Sequence, residues 1–411
     1  MDFESLSLFA LGRSVFRRDF TPAGQGSTSF DGLGPLMNAP SCAGCHVNDG
    51  RGAPSSPGDG AYGLVSMILK LERAPGSVYG DQLQDFAIEG MAPEGRIRID
   101  YGAAAFTYPD GTKVALRVPK FSVEDPGYGP LGPDMALAPR IAPSMIGLGL
   151  LAAIPEGDLA AGADPDDADG DGVSGRLAMV RSARGGEPVP GRFGWKATQA
   201  TLEDQIAAAL ALDMGLSSPL VPRPAGDCTT GQTACLKQST GESADLEGLE
   251  VHSAPFAWLV RYSEAIAVPA PRPGAGDDTA AALFVQVGCA ACHTPSHVLP
   301  PNPQRRFLGG STIWPYTDLL LHDLGPQLAD PVASRGGDAG VGRGEWRTPP
   351  LWAVGLSGAI NGNTGLLHDG RARTIEEAIL WHGGEAAASR DRFAALSAQD
   401  RQRLIAFVAA L

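Results

Sequence analysis

Two five-residue motifs constrain this chain more than anything else in it: Cys42-Ala43-Gly44-Cys45-His46 and Cys289-Ala290-Ala291-Cys292-His293. The pattern C-x-x-C-H is the attachment signature of c-type haem. Its spacing holds two thiols on one short helical turn, where they add across the haem vinyl groups. The next residue, His, then lies under the iron as proximal ligand. A bare C-x-x-C also suits a redox pair or half a zinc site, but a His directly after each copy favours haem. The expected cofactors are two covalently bound c-type haems, one on Cys42, Cys45 and His46, the other on Cys289, Cys292 and His293. Haem is attached this way after export, so the expected location is periplasmic.

Composition fits a backbone that wraps a cofactor. The 54 Gly and 34 Pro exceed a fifth of the 411 residues, which implies a loop-rich chain. The formal charge of −14 argues against nucleic acid and anionic lipid as partners. No apolar run approaches the roughly 20 residues needed to span a bilayer. Residues 1–9 are too short and too acidic for an export signal, and Met1 is read as standing where such a signal has been removed. The remaining cysteines, Cys228 and Cys235, bracket a polar segment. In an oxidising compartment they are expected to form a local disulfide, two free thiols being the alternative.

A degenerate repeat opens at each C-x-x-C-H. Ala142-Pro143 and Gly147-Leu148 after the first echo Thr348-Pro349 and Gly355-Leu356 after the second. Gly194, then Thr201-Leu202-Glu203, echoes Gly370, then Thr374-Ile375-Glu376. The natural inference is two haem domains of common design, 1–270 and 278–411, joined by the Pro/Gly stretch 268–277. Helices are expected over 256–267, 279–287 and 398–411. Residues 95–121, with alternating apolar positions around Asp110-Gly111, read as a β-hairpin inserted in the first domain. The expected fold class is mainly α: two cytochrome c-like haem domains, loop-rich, with that one small hairpin.

Asp167, Asp169 and Asp171 alternate before Gly172, like the front half of an EF-hand loop. That makes them candidate calcium ligands. The closing Glu is absent, since Ala178 stands in the twelfth position, and a solvated acidic turn is the other reading.

Several segments together resemble a known family: Asp31 to Leu36 with Cys42 to Gly52, Asp167 to Arg176, Tyr316 to Asp323, Glu345 to Leu351, His368 to Ala372, and Trp381 to Gly384. The chain resembles the bacterial di-haem oxidoreductases of the peroxidase type, also labelled thiol oxidoreductases. These are relatives of the di-haem cytochrome c peroxidases and of the di-haem enzyme that matures methylamine dehydrogenase. In di-haem peroxidases the C-terminal haem takes its second axial ligand, usually Met, fourteen residues after the His of a His-Asp-Gly motif. Here His368 opens that motif and His382 stands at the ligand position, so the resemblance implies His293 and His382 as an axial pair. The loop His that blocks the other haem in many relatives is missing, because no His occurs between His46 and His252. Met37, Met67, Met91, Met145 and His252 remain as alternative ligands to an open iron.

The same resemblance implies Asp213 as acid/base and Gln205 as the amide that orients peroxide. It places Phe193 or Trp195 between the haems. Arg371 and Arg373 are suited to haem propionates, and His322 to a hydrogen-bonding role near the second haem. The implied activity is peroxide reduction, with electrons from a small donor protein, a cytochrome or a cupredoxin. A pure electron-transfer cytochrome, or an oxidase of a thiol or protein substrate, are the alternatives.

Overall fold

Two threonines at matching places in the repeat start helices, and the rest of the architecture is arranged around them. The computed structural model describes residues 3–26, 29–54, 66–72, 76–331, 340–362 and 364–411, so Met1 lies outside the described residues. Thr201 caps helix Leu202–Asp213 by accepting from the Asp204 N–H, while the Asp204 carboxylate accepts from the Thr201 N–H. Thr374 caps helix Ile375–Trp381 through the Glu377 N–H. The sequence echo is therefore an echo of local structure.

The first core forms where helix Phe3–Arg17 lies against helix Ser253–Ala265. Gly12 permits the approach, since a Cβ there would sit 2.0 Å from the Trp258 carbonyl oxygen. Val15, Phe16, Leu210, Met214, Phe256 and Tyr262 fill this core. A second core gathers Phe284, Trp381, Phe393, Leu404 and Phe407. It draws on helices Asp278–Gln286 and Ala398–Ala410, close to the expected 279–287 and 398–411. A third cluster mixes the halves, packing Leu151, Ile154 and Leu159 against Leu299, Ile313 and Trp352.

The expected hairpin is present as strands Arg96–Thr107 and Lys113–Glu124, in antiparallel register from Arg96↔Glu124 to Thr107↔Lys113. Gly111 at φ 84° makes its turn. Its far end does not pack on the half that contains it. Tyr108 and Leu116 are buried in the second core, the Tyr108 hydroxyl donates to Glu376 at 2.8 Å, and Arg401 pairs with Asp110 at 2.9 Å.

The expectation of a mainly α fold is corrected: only 31% of the chain is helical and 16% is strand, a mixed α/β, loop-rich fold. Among the described residues there are six two-stranded sheets, all antiparallel. The physical reason is that Gly and Pro interrupt helices before they lengthen, leaving short extended segments to pair. Met67–Leu71 alternates buried and half-buried positions and pairs with Leu137–Ile141, an alternation of five residues that is easily missed. Among the described residues no helix is long and apolar enough to cross a membrane. Cys228 and Cys235 sit with Cα atoms 6.1 Å apart, within the span a disulfide bridges.

Because Tyr108 is 2% exposed and docks the hairpin on the far half, Tyr108→Ala should lower unfolding stability by about 3 kcal/mol or more. Arg98→Ala, on the exposed part of the same hairpin, should stay within about 0.5 kcal/mol. Denaturant titration followed by circular dichroism measures both.

Candidate functional site

Asp277 caps helix Asp278–Gln286 by accepting from Thr279 N and Ala280 N, and Gly288 at φ 89° turns the chain out of it. The turn that follows carries the second motif, with the His293 N–H donating to the Cys289 carbonyl at 2.9 Å. Cys289, Cys292 and His293 thereby line one cavity, together with Phe284, Leu328, Leu404, Val408 and His382. His382 arrives there as the residue that ends helix Ile375–Trp381.

Both imidazoles are held in the same way. His293 Nδ1 bonds the Tyr316 carbonyl at 2.9 Å, and His382 Nδ1 bonds the Ala378 carbonyl at 2.6 Å. A carbonyl can only accept, so each Nδ1 carries the proton and each Nε2 keeps its lone pair for a metal. Desolvation lowers both basicities, that of His293 to about 4, and keeps the rings neutral. Two thiols and two neutral imidazoles on one largely apolar cavity fit a haem that both imidazoles could hold.

The first motif repeats the turn. Helix Cys42–Cys45 is followed by His46, whose N–H donates to the Cys42 carbonyl at 2.9 Å. The end of helix Leu202–Asp213 abuts the approach to this motif, with the Asp213 carbonyl accepting from Asn38 N at 2.8 Å and Ala39 N at 3.3 Å. The Asp213 carboxylate accepts from Gln82 Nε2 at 2.7 Å, and Gln82 Nε2 also reaches Asn38 Oδ1 at 2.6 Å. Desolvation raises the Asp213 pKa, against the opposing pull of Lys70 and Gln82. Burial pushes the Cys42 thiol up to about 12, and the charge of Asp213 adds to the rise. Asp213 thus lies close enough to the first motif to act on it electrostatically.

Gln205 does not join Asp213. The two share one helix eight residues apart, roughly 12 Å along its axis, and Gln205 lies by Gly194 instead. The amide partner of Asp213 is Gln82, which sequence reasoning missed. No local signal marks it, since Gln82 and Asp213 lie 131 residues apart.

His322 is buried between two carboxylates, with Nε2 at 2.9 Å from Asp318 and Nδ1 at 2.8 Å from Glu385. Burial alone would depress it, but hydrogen bonds to Asp318, Cys292 and Glu385 outweigh that and push it up to about 12. Glu385 also accepts from Ser174 N and Oγ and from Asp323 N. Trp195, rather than Phe193, lines the cavity of His293 and His382, its Nε1 donating to the Ile141 carbonyl at 2.8 Å. Arg371 bonds Asp369 and lies over Trp381, while Arg373 bonds Glu377. Both are thus committed to protein partners. Arg51 and Arg347, not singled out from the sequence, line the cavity. Met37 and Met67 are buried in the hydrophobic core, and His252 stands just before helix Ser253–Ala265 without a side-chain bond to it.

In the acidic loop the carboxylates of Asp164, Asp167 and Asp169 converge, with ligand oxygens within 4.8 Å of one another. Asp171 turns back to accept from its own neighbour, Val173 N, at 2.8 Å. The convergent set therefore gains Asp164 and omits Asp171.

A family model described as "di-haem oxidoreductase, putative peroxidase" matches residues 76–411. The chain belongs to that di-haem oxidoreductase family. The match contains the second haem motif and begins after the first. No curated protein matches the chain. Among solved structures, hydrazine synthase from Kuenenia stuttgartiensis is similar at 20% identity over 40% of this chain, with a TM-score of 0.24. The chain spans 57% of that protein's length, and a likeness at that level carries no argument.

The Glu385 carboxylate is held at about 2, burial being overridden by its hydrogen bond from His322. A depressed carboxylate stabilises the fold above its ordinary pKa of 4.5 and loses that contribution as pH falls through 2. Glu385→Gln should therefore melt below wild type above pH 4.5, and the gap should close between pH 4.5 and 2. A gap that stays constant over thermal melts in that range would reject the ionic pairing.

Proposed function

We propose that this family member is a periplasmic di-haem c-type oxidoreductase that reduces peroxide, with electrons entering at one haem and chemistry at the other. The observation that carries the reading is the convergence of His293 and His382, each with Nδ1 bound to a carbonyl, on the cavity lined by Cys289 and Cys292. Haem iron, when bound, supplies the one-electron redox chemistry. His293 and His382 would both hold the iron of the C-terminal haem, which would suit electron relay rather than peroxide binding. Replacing the thioether of the peroxidase pattern by a second imidazole lowers that haem's potential.

Cys42, Cys45 and His46 would hold the other haem from one side. Asp213 is the acid/base: with its pKa raised, it can take a proton from peroxide and return it to the departing oxygen as water. Gln82 fixes the orientation of that carboxylate, and Gln205 lies two turns away on the same helix. The two haem units are residues 1–270 and 278–411. A Cys228–Cys235 disulfide pins the surface turn, and calcium occupies the loop of Asp164, Asp167 and Asp169, with Asp171 bracing it. The donor is a small cytochrome or cupredoxin.

Electron paramagnetic resonance of the oxidised holoprotein tests the reading. A high-spin ferric signal that disappears on adding peroxide, beside a persistent low-spin bis-His signal, is the expected result. Two low-spin signals indifferent to peroxide, before and after partial reduction, would leave only an electron carrier. Asp213→Asn should lower peroxide turnover by about 10²-fold or more while leaving both signals in place.

A further inference from the structure

The segment that follows the first haem motif does not stay in its own half of the chain. After the turn Val47–Asp49, Asn48 Nδ2 donates to the Ile360 carbonyl at 3.3 Å, and Asn361 Nδ2 donates to the Arg51 carbonyl at 2.6 Å. The Arg51 side chain continues across: Nε donates to the Gly365 carbonyl at 2.8 Å and Nη2 to that of Leu367. Its guanidinium lies 5.1 Å from the Trp195 ring centre. Five residues after His46, the chain thus delivers a cation to the cavity of Cys289, Cys292, His293 and His382.

That cation is bonded only to neutral groups among the described residues. A guanidinium is always protonated and offers five N–H donors, whereas the two acceptors given to Arg51 are neutral carbonyls. Among the described residues it forms no ion pair. Asp369, the carboxylate whose charge bears on it, is already bonded to Arg371 through Nε at 2.8 Å and through the backbone N–H at 3.1 Å. Arg347, 6% exposed on the same cavity, repeats the arrangement. Its Nε donates to the Gly194 carbonyl at 2.9 Å and its Nη1 to that of Thr348 at 3.1 Å, again without a bonded carboxylate among the described residues. Asp318, whose charge bears on it, is bonded to His322 at 2.9 Å. Desolvation draws both guanidinium pKa values down to about 10, the mark of charges that water no longer serves.

Unpaired desolvated charge is unfavourable unless an anion meets it. The occupant that fits this cavity carries two anions of the right shape, the propionate carboxylates of haem, and a guanidinium matches a carboxylate as a planar fork.

We propose that Arg51 and Arg347 are the propionate clamps of the C-terminal haem, so that the N-terminal haem motif supplies a binding residue to the other haem's site. The assignment rests on the two-haem reading above. The free donors of Arg51 grip one carboxylate while its carbonyl bonds hold the 47–51 loop against residues 360–367. Net positive charge beside the haem favours its ferrous form over its ferric form, so removing the charge makes that haem harder to reduce.

The experiment is a spectroelectrochemical redox titration of the full-length holoprotein, with the C-terminal haem followed by its low-spin signal. Haem content is first established by mass and by pyridine haemochrome. Arg51→Gln and Arg347→Gln are each expected to shift that haem's reduction equilibrium about tenfold toward ferric, about 59 mV for one electron. Arg51→Lys, which keeps the charge and loses the fork, should recover most of the shift. Arg373→Gln, exposed and paired with Glu377 outside the cavity, should leave it unchanged. Should both glutamine variants bind two haems and keep the C-terminal potential within twofold of wild type, the assignment is overturned. It is overturned equally if only the N-terminal haem responds. A wild-type product without haem on Cys289 and Cys292 would instead defeat the two-haem reading, and this assignment with it.

Discussion

The arrangement turns on two hydrogen bonds from imidazole to backbone carbonyl, His293 Nδ1 to Tyr316 and His382 Nδ1 to Ala378. Each fixes a tautomer and a ring direction at once. The first acceptor is supplied by an irregular segment in which Tyr316 sits at φ 53°, the second by the last turn of the Thr374-capped helix. Neither acceptor would be in place without the packing behind it. Phe284, Tyr316 and Phe407 meet edge to face at ring separations of 5.5 to 6.0 Å, holding the loop against the terminal helix. The second core is therefore the mounting for the two imidazoles as well as a source of stability.

The halves are joined by polar contacts as much as by apolar ones. The Ile141 N–H donates to the His368 carbonyl at 2.8 Å, and the Trp195 indole donates to the Ile141 carbonyl. His368 stacks on Trp346 at 3.8 Å, and Lys196 lies 3.8 Å from the centre of the same indole. Residues from the two repeats thus alternate through the middle of the molecule. Desolvation and four nearby cations hold His368 well below its ordinary pKa, so this central ring is a neutral member of a cationic neighbourhood. Electrostatics there favours an anionic partner and opposes a further positive charge.

What the sequence disclosed was whatever depends on short range. The C-x-x-C-H turns and the Asp110-Gly111 hairpin are written in contiguous sequence and appear where expected, and the threonine echo proves to be an echo of helix caps. The mainly α expectation failed because the strands are short and paired with distant partners. Met67–Leu71 finds Leu137–Ile141 across some seventy residues, and Leu321–Asp323 pairs with Glu345–Arg347 across a loop. Such pairing is decided by tertiary context, which outweighs local propensity. The same limit governs the site. His382 was singled out only through the family resemblance, as the residue fourteen after His368. The bond from Gln82 to Asp213 joins residues 131 apart and leaves no local trace.

The charge balance makes that limit concrete. A net charge of −14 describes the surface and says nothing of the interior. Inside, Arg51 and Arg347 line the cavity of His293 and His382, while Arg140 and Lys196 share Asp330. An acidic protein here buries four of its cations, an arrangement that desolvation opposes at every one of them. It persists only because each cation is held by several backbone carbonyls or by a shared carboxylate. The cavity that Arg51 and Arg347 border is therefore a place where the fold has accepted an electrostatic cost in order to present positive charge.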